Sequence, residues 1–514
     1  MVKQKSACGL TGRFLPYALG GNLVFIVFTS ALFLSGVFQD WQELVTEPWL
    51  INQGLRNYSD IATHHAPLLT ESLALIYRFL GSGIVTRMVI LFLVSAATAV
   101  LLFRAVCRLA GEKAALCSML LFTILWPFYG GMNFWFDTFL PLFYLAAFVL
   151  LTEKRSSGFV LLSGIVLGLS FLIKQQGGVT ALGVMAMILM RPGGIRSRMR
   201  ESLLFSGGVL LPVAVISVWY AGTGQLRDAF YWIIKYNLSD HYVSLGTVYP
   251  PAGEIVRLLV ITAPVLFFAA AALFFRDRRR LVSWNFLLAA GMGLLAFFTV
   301  YPRWERWHVI PLVPFLVICL AVSVKGLLSL PDEGNPNPRN RKILRVGLGV
   351  WLFLVIVDVG TFYPPIMISQ VSPGFTDYWP LHSYGLPAWA DKEFMGYRHD
   401  IPKIGKYIRQ ETGDGDRILV WGWGLERLYY DSGRLPAGRF YYALPWFTCL
   451  PRLGRDLEEG IENHKPRYVV TALKQFPGTP DLSGVGVDLD KYNYFEIEAL
   501  KDRFPGVVIW RSGE

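Results

Sequence analysis

The chain has 514 residues, of which 54% are hydrophobic, 15% aromatic and only 17% charged, with a formal net charge of +11. With a mean hydropathy of +0.43, this composition excludes an ordinary soluble domain and a disordered chain, and points to a polytopic membrane protein. The basic excess does not call for nucleic acid, because it follows the loops between apolar runs.

In chain order, Lys3, Lys5 and Arg13 precede a first apolar run at 15–38. The run is long enough to cross the hydrocarbon layer and has no clear small-residue cleavage site, so a retained anchor is expected. It ends at Gln39-Asp40-Trp41-Gln42-Glu43, which opens a first outer loop over about 39–84 that also carries Tyr58-Ser59-Asp60 and His64-His65-Ala66-Pro67. Further apolar runs lie near 85–103, 114–131, 134–152, 158–173, 175–190, 202–221, 255–275, 281–300, 308–325 and 346–364, which predicts about eleven spans. The fifth and sixth are almost continuous through Lys174, which suggests two short or broken helices.

With the N-terminus on the cytoplasmic side, the inner loops carry Arg104, Arg108 and Lys113, then Lys154 and Arg155, Arg196 to Arg200, Arg276 to Arg280, and finally Lys325 and Arg339 to Arg345. Outer loops are poor in Lys and Arg. This positive-inside bias predicts a multi-pass inner-membrane protein whose C-terminal part is extracytoplasmic.

Composition changes after about residue 365. Arg417-Ile418-Leu419-Val420-Trp421, Tyr468-Val469-Val470-Thr471 and Val507-Val508-Ile509-Trp510 read as short strands, with helical stretches near 401–411 and 452–464. The expected fold is a polytopic α-helical domain over 1–365 followed by a small α/β domain over 366–514. Gly422-Trp423-Gly424 follows a strand but lacks the spacing of a phosphate-binding fingerprint, so it reads as a tight turn. The five cysteines show neither metal-ligand spacing nor a disulfide framework. No metal site or cofactor is firmly implied; a divalent ion would find no ligand motif.

The polar residues at the outer ends of the spans form a set. Asp40 and Glu43 follow the first run, and His65 lies later in the loop. Asp137 opens the fourth run, Lys174 separates the fifth from the sixth, and Arg303, Glu305, Arg306 and His308 precede the tenth. Ionisable groups near hydrocarbon are costly and usually face a cavity or a partner. Carboxylates beside a Lys and two Arg suggest a site that handles an acid and a phosphate together, whereas Glu43 and Glu305 suit structural ion pairs.

These stretches resemble the GT-C glycosyltransferases that use polyprenyl-phosphate sugars, in the branch of the bacterial protein O-mannosyltransferases and aminoarabinose transferases. The resemblance covers roughly residues 10–365. It rests on Asp40, on Gly54-Leu55-Arg56-Asn57-Tyr58-Ser59-Asp60, on His64-His65-Ala66-Pro67-Leu68, on Phe136-Asp137-Thr138, on Ile173-Lys174-Gln175 and on Arg306-Trp307-His308-Val309-Ile310-Pro311. It implies a GT-C-like helical domain, Asp40 as catalytic carboxylate, Asp137 in the active site, and Lys174, Arg303, Arg306, His65 and His308 toward the donor phosphate. Where aminoarabinose transferases carry Glu-Lys-Pro, this chain has His65-Ala66-Pro67, and Trp41 follows Asp40 where many protein mannosyltransferases have a second acid. The implied reaction moves a sugar from a lipid monophosphate to an acceptor hydroxyl with inversion. The expected partners are the lipid-linked donor, a hydroxyl acceptor and the bilayer. Alternatives are a polysaccharide ligase or polymerase that uses a lipid diphosphate, and a non-enzymatic transporter of lipid-linked sugar.

Overall fold

The computed structural model describes residues 15–34, 39–153, 156–240, 242, 249–274, 283–301, 304–328, 338–360, 400–443, 447–448, 450–475 and 478–513. The chain falls into two compact units: Met1–Gln39, Met88–Val215 and Tyr249–Pro373 form the first, and Asp40–Arg87, Ile216–Val248 and Gly374–Glu514 the second.

The first unit is helical. It comprises α1 (Leu15–Leu34), most of α4 (Ile84–Ala110), α5 (Glu112–Phe128), α6 (Phe136–Glu153), α7 (Ser157–Ile173), α8 (Gln176–Met190) and the larger part of α9 (Ile195–Gly222). Later in the chain come the helices Ala252–Phe274, Trp284–Phe297, Val313–Leu328 and Pro338–Gly360. Five described helical stretches are long and apolar enough to cross a membrane: Ile84–Ala110, Phe136–Glu153, Ile195–Gly222, Ala252–Ala270 and Trp307–Leu328. Shorter apolar helices include Ser157–Ile173, Gln176–Met190 and Trp284–Phe297.

Small residues let these helices approach closely. Gly164 and Gly168, one turn apart on α7, lie against α9, and a Cβ at either would collide with the Phe205 or Val209 carbonyl. The start of α7 is set by Ser156, whose hydroxyl accepts a hydrogen bond from the Phe159 N–H at 3.4 Å.

The run expected to break at Lys174 does so. Lys174 ends α7 in an extended conformation (φ −149°, ψ 134°), and α8 restarts at Gln176. The chain returns so tightly that a Cβ on Gly177 would sit 2.6 Å from the Phe171 nitrogen. Only glycine fits that approach, which explains Gly177 just after the break.

The second unit contains the first loop and the C-terminal region. The loop holds α2 (Glu43–Asn52) and α3 (Leu68–Leu80). Between them Tyr58 adopts a left-handed conformation (φ +67°), and its hydroxyl donates to the His65 carbonyl at 2.9 Å. A non-glycine residue adopts this region at some cost, and here it bends the loop back on itself. The C-terminal sheet has five strands: β1 (Arg417–Trp421), β2 (Leu435–Pro436), β3 (Tyr468–Ala472), β4 (Tyr494–Glu496) and β5 (Val507–Ser512), in the order β2-β1-β3-β5-β4. β1 is parallel to β2 and β3, and β5 is antiparallel to β3 and β4. The central parallel strands are continuously apolar because both faces are buried. Helices Ile401–Glu411 and Leu453–His464 coincide with the expected stretches. Gly422 abuts Leu425 and Ala472, and Gly424 has φ +84°, so the Gly-Trp-Gly segment is a packed turn with Trp423 buried.

Candidate functional site

In the first unit, three separate elements bring four ionisable side chains together. Asp137 lies in the first turn of α6, where a carboxylate suits the helix dipole. The turn before it is fixed by the Thr138 hydroxyl donating to the Asn133 carbonyl at 2.8 Å. Lys174 comes from the break between α7 and α8. Glu305 and His308 bracket the start of a 3-10 helix, Arg306–Leu312, in which side chains three apart eclipse one another.

The Lys174 ammonium donates to both oxygens of Asp137, at 2.8 Å to Oδ1 and 2.7 Å to Oδ2. His308 Nδ1 lies 2.8 Å from Asp137 Oδ2, and its Nε2 lies 3.0 Å from Glu305 Oε2. Each ring nitrogen therefore faces a carboxylate oxygen, an arrangement that suits the doubly protonated ring. The four side chains then carry two charges of each sign. Asp137 is fully buried, and Lys174 and Glu305 are each 5% exposed. Burial of this kind is tolerated because every charge has a partner.

The donor count limits what each group can do. Nδ1 cannot both donate to Asp137 and accept from Lys174, whose Nζ is 3.3 Å away. The shorter contact to Asp137 takes the proton. Lys174 thus has its two shortest contacts to Asp137 and a third, longer one to the ring of His308. Both Asp137 oxygens are engaged, so this carboxylate orients cations and is poorly placed to accept a substrate proton.

A second cluster belongs to the other unit. Glu43 and Glu47, one turn apart on α2, are 5% and 1% exposed. Tyr442 donates to Glu43 Oε1, and Tyr441 donates to Glu47 Oε1 at 2.7 Å. His65 Nε2 lies 3.9 Å from Glu43 Oε2, and its ring packs on His64 with centroids 4.1 Å apart. Burial pushes the Glu47 carboxyl up to about 7, against the Tyr441 and Thr63 hydroxyls, with the Glu426 charge adding to the rise. Burial and the charges of Glu47 and Glu426 hold Glu43 well above the usual carboxylate range, against the Tyr442 hydroxyl.

Residues 64–221 match the family model of the dolichyl-phosphate-mannose-protein mannosyltransferases. No curated protein sequence matches the chain. Among solved structures, ArnT from Cupriavidus metallidurans in the apo state is similar over 96% of this chain and 98% of its own, with a TM-score of 0.56 at 13% identity. The same protein bound to undecaprenyl phosphate gives 0.54 at 13% identity, covering 98% of each chain. The archaeal oligosaccharyltransferase AglB from Archaeoglobus fulgidus, in complex with an inhibitory peptide and a dolichol-phosphate, gives 0.51 at 12% identity over 95% of this chain and 74% of its own. The chain shares the fold of these membrane glycosyltransferases.

Within this fold, Asp137, Lys174 and His308 of the sequence-derived set meet in one cluster. Glu305, expected to be an ion-pair partner, joins them through His308. His65 lies in the other unit, where Glu43 is its ionic neighbour, again the structural role expected of Glu43. Asp40 ends the short extended segment Gln39–Asp40, and Arg306 opens the 3-10 helix, but both side chains lie outside the described residues, as does all of Arg303. Among the described residues, no group of three or more His, Cys, Asp or Glu is arranged to hold a metal ion. Sequence reasoning missed the buried pair Glu47 and Tyr441. Its only trace was the i, i+4 repeat of acids, Glu43 and Glu47, in an otherwise apolar helix.

Proposed function

We propose that the protein transfers a sugar from a polyprenyl-monophosphate donor to an acceptor hydroxyl at the outer face of the inner membrane, with inversion at the anomeric carbon. The observation that carries this reading is Lys174, a buried ammonium held by both oxygens of Asp137 beside His308, in a fold shared with a protein solved with undecaprenyl phosphate. Asp40 acts as general base and takes the proton of the acceptor hydroxyl while its oxygen bonds to the anomeric carbon. The bond from that carbon to the phosphate oxygen breaks, and its electron pair leaves with the lipid monophosphate. Lys174, Arg303 and Arg306 stabilise the growing phosphate charge, Lys174 as a point charge and Arg by its planar fork. Asp137 and His308 hold Lys174 in place, Glu305 orients His308, and His65 serves the donor side from the first loop. No metal takes part in this scheme.

On the same reading, residues 1–365 form the membrane-embedded catalytic part with about eleven crossings and a cytoplasmic N-terminus. Residues 366–514 form an extracytoplasmic domain.

The test is transfer by purified protein from a panel of polyprenyl-phosphate sugars to a mixed acceptor extract, read by mass spectrometry. Asp40→Asn keeps the size and hydrogen bonding of the side chain but cannot take the proton. It is expected to retain polyprenyl-phosphate binding and lose turnover by roughly 10²–10⁴-fold. Near-normal turnover by Asp40→Asn would refute the assignment of the base. No transfer by the wild-type protein from any monophosphate donor, with transfer from a lipid diphosphate, would refute the donor class.

A further inference from the structure

Three helices of the first unit enclose an apolar groove of about 540 Å³ that the proposed reaction does not use. Its walls come from α5, with Ala110 at the end of α4, from Val317 onward in Val313–Leu328 and from the middle of Pro338–Gly360. Leu121, Val317, Leu320, Leu348 and Leu352 supply much of the apolar surface. One end is different. Lys113 at the start of α5, Lys325 in the last turn of Val313–Leu328 and Arg345 in the third turn of Pro338–Gly360 line the same groove, and all three are exposed. None of the described residues lining it is acidic.

We propose that this groove binds an anionic glycerophospholipid, with its acyl chains along the apolar walls and its headgroup phosphate at Lys113, Lys325 and Arg345. The volume lies in the range of small-molecule sites. The charge pattern is that of basic pockets between membrane helices, which take anionic headgroups. The three cations come from three different helices, and they lie at the end of the groove away from the cluster proposed to hold the donor phosphate, which favours a glycerophospholipid over the polyprenyl donor. They also belong to the loops with the Lys and Arg excess, so the headgroup lies in the cytoplasmic leaflet. Lys325 follows His308 by a 3-10 segment and most of a helix, a rise of about 25–30 Å, close to the thickness of the hydrocarbon layer. The groove thus opens at the membrane face opposite the Asp137–Lys174–His308 cluster. A lipid seated there ties Pro338–Gly360 to α5 and to Val313–Leu328.

The experiment is native mass spectrometry of the delipidated full-length protein, titrated with phosphatidylglycerol or with phosphatidylcholine of the same acyl chains. The wild type is expected to retain phosphatidylglycerol preferentially. Lys113→Gln, Lys325→Gln and Arg345→Gln are each expected to weaken phosphatidylglycerol binding by about fivefold and to leave phosphatidylcholine unchanged. Gly349 lies in the wall with open space around its missing side chain. Gly349→Trp places an indole in this wall and is expected to displace phosphatidylglycerol with all three cations still in place. Each variant is first matched to the wild type in elution volume and thermal transition, and Gly349→Trp, which leaves the charges intact, decides the matter if the charge variants do not fold. Equal retention of the two lipids by the wild type, an unaltered preference in the charge variants, or full phosphatidylglycerol binding by Gly349→Trp would overturn the proposal. Displacement of phosphatidylglycerol by undecaprenyl phosphate at equal concentration would overturn it as well, by making the polyprenyl carrier the occupant.

Discussion

The Asp137–Lys174 pair gives the sharpest test of the site, because its two members are buried together and each answers the other's charge. Lys174→Met removes the ammonium and leaves the Asp137 carboxylate fully buried, with Oδ1 stripped of its donor and Oδ2 held only by His308 at 2.8 Å. Breaking a buried pair from one side costs about 3–5 kcal/mol. His308 still answers part of the charge, so the lower end, about 3 kcal/mol, is expected. Asp137→Asn leaves Lys174 and His308 as neighbouring cations and is expected to cost a similar amount. The double variant removes both charges, leaves His308 paired with Glu305 and keeps the side-chain volumes close. It is expected to lie within about 1 kcal/mol of the wild type, so the coupling between the two sites is several kcal/mol. Equilibrium unfolding in mixed micelles, followed by tryptophan fluorescence without donor lipid, measures the cycle. Single-variant costs that are each below about 1 kcal/mol and that simply add would refute the buried pair and return Lys174 to an interfacial role.

Glu47 makes the second unit sensitive to pH. Its folded pKa, about 7, lies above the ordinary glutamate value of 4.5, so its stabilisation is complete below about pH 4.5 and is lost as pH rises through about 7, a change of about 3 kcal/mol. Glu47→Gln keeps an acceptor for Tyr441 and is expected to flatten the unfolding-midpoint profile between pH 4.5 and 8; a profile parallel to that of the wild type would contradict this. Gly177→Ala would improve helix propensity at an open position, but here the new Cβ meets the backbone of Ser170 and Phe171 at 2.6 Å. A loss of about 1–3 kcal/mol is expected, whereas Gly207→Ala, with nothing near its Cβ, should be neutral or slightly stabilising in the same thermal assay.

Much of the helical unit could be read from run length alone, because lipid forces each crossing segment to satisfy its own backbone and to be apolar throughout. The broken helix at Lys174 was legible for the same reason: a lysine followed by Gln-Gln-Gly-Gly cannot be buried in a continuous apolar helix. The central strands of the C-terminal sheet announced themselves as apolar runs between turn residues. The short edge strands Leu435–Pro436 and Tyr494–Glu496 did not, since two or three residues carry no periodicity and form only by pairing with a neighbour.

The sequence by itself therefore determined the membrane class, most element positions and the chemical types available to the site. It named Asp137, Lys174 and His308 separately, because charged residues at the ends of apolar runs stand out against hydrocarbon. Only the tertiary structure decided who meets whom. Three elements between 37 and 171 residues apart in sequence bring Lys174 and His308 onto one carboxylate, so both Asp137 oxygens are occupied by cationic neighbours. The glutamate pair on α2 is the converse case. Its sequence is that of an ordinary acidic helix start, and its raised pKa values come from burial, with the Glu426 charge adding and the Tyr441 and Tyr442 hydroxyls opposing. A pKa depends on what surrounds a group in space, and a linear pattern records only what precedes and follows it.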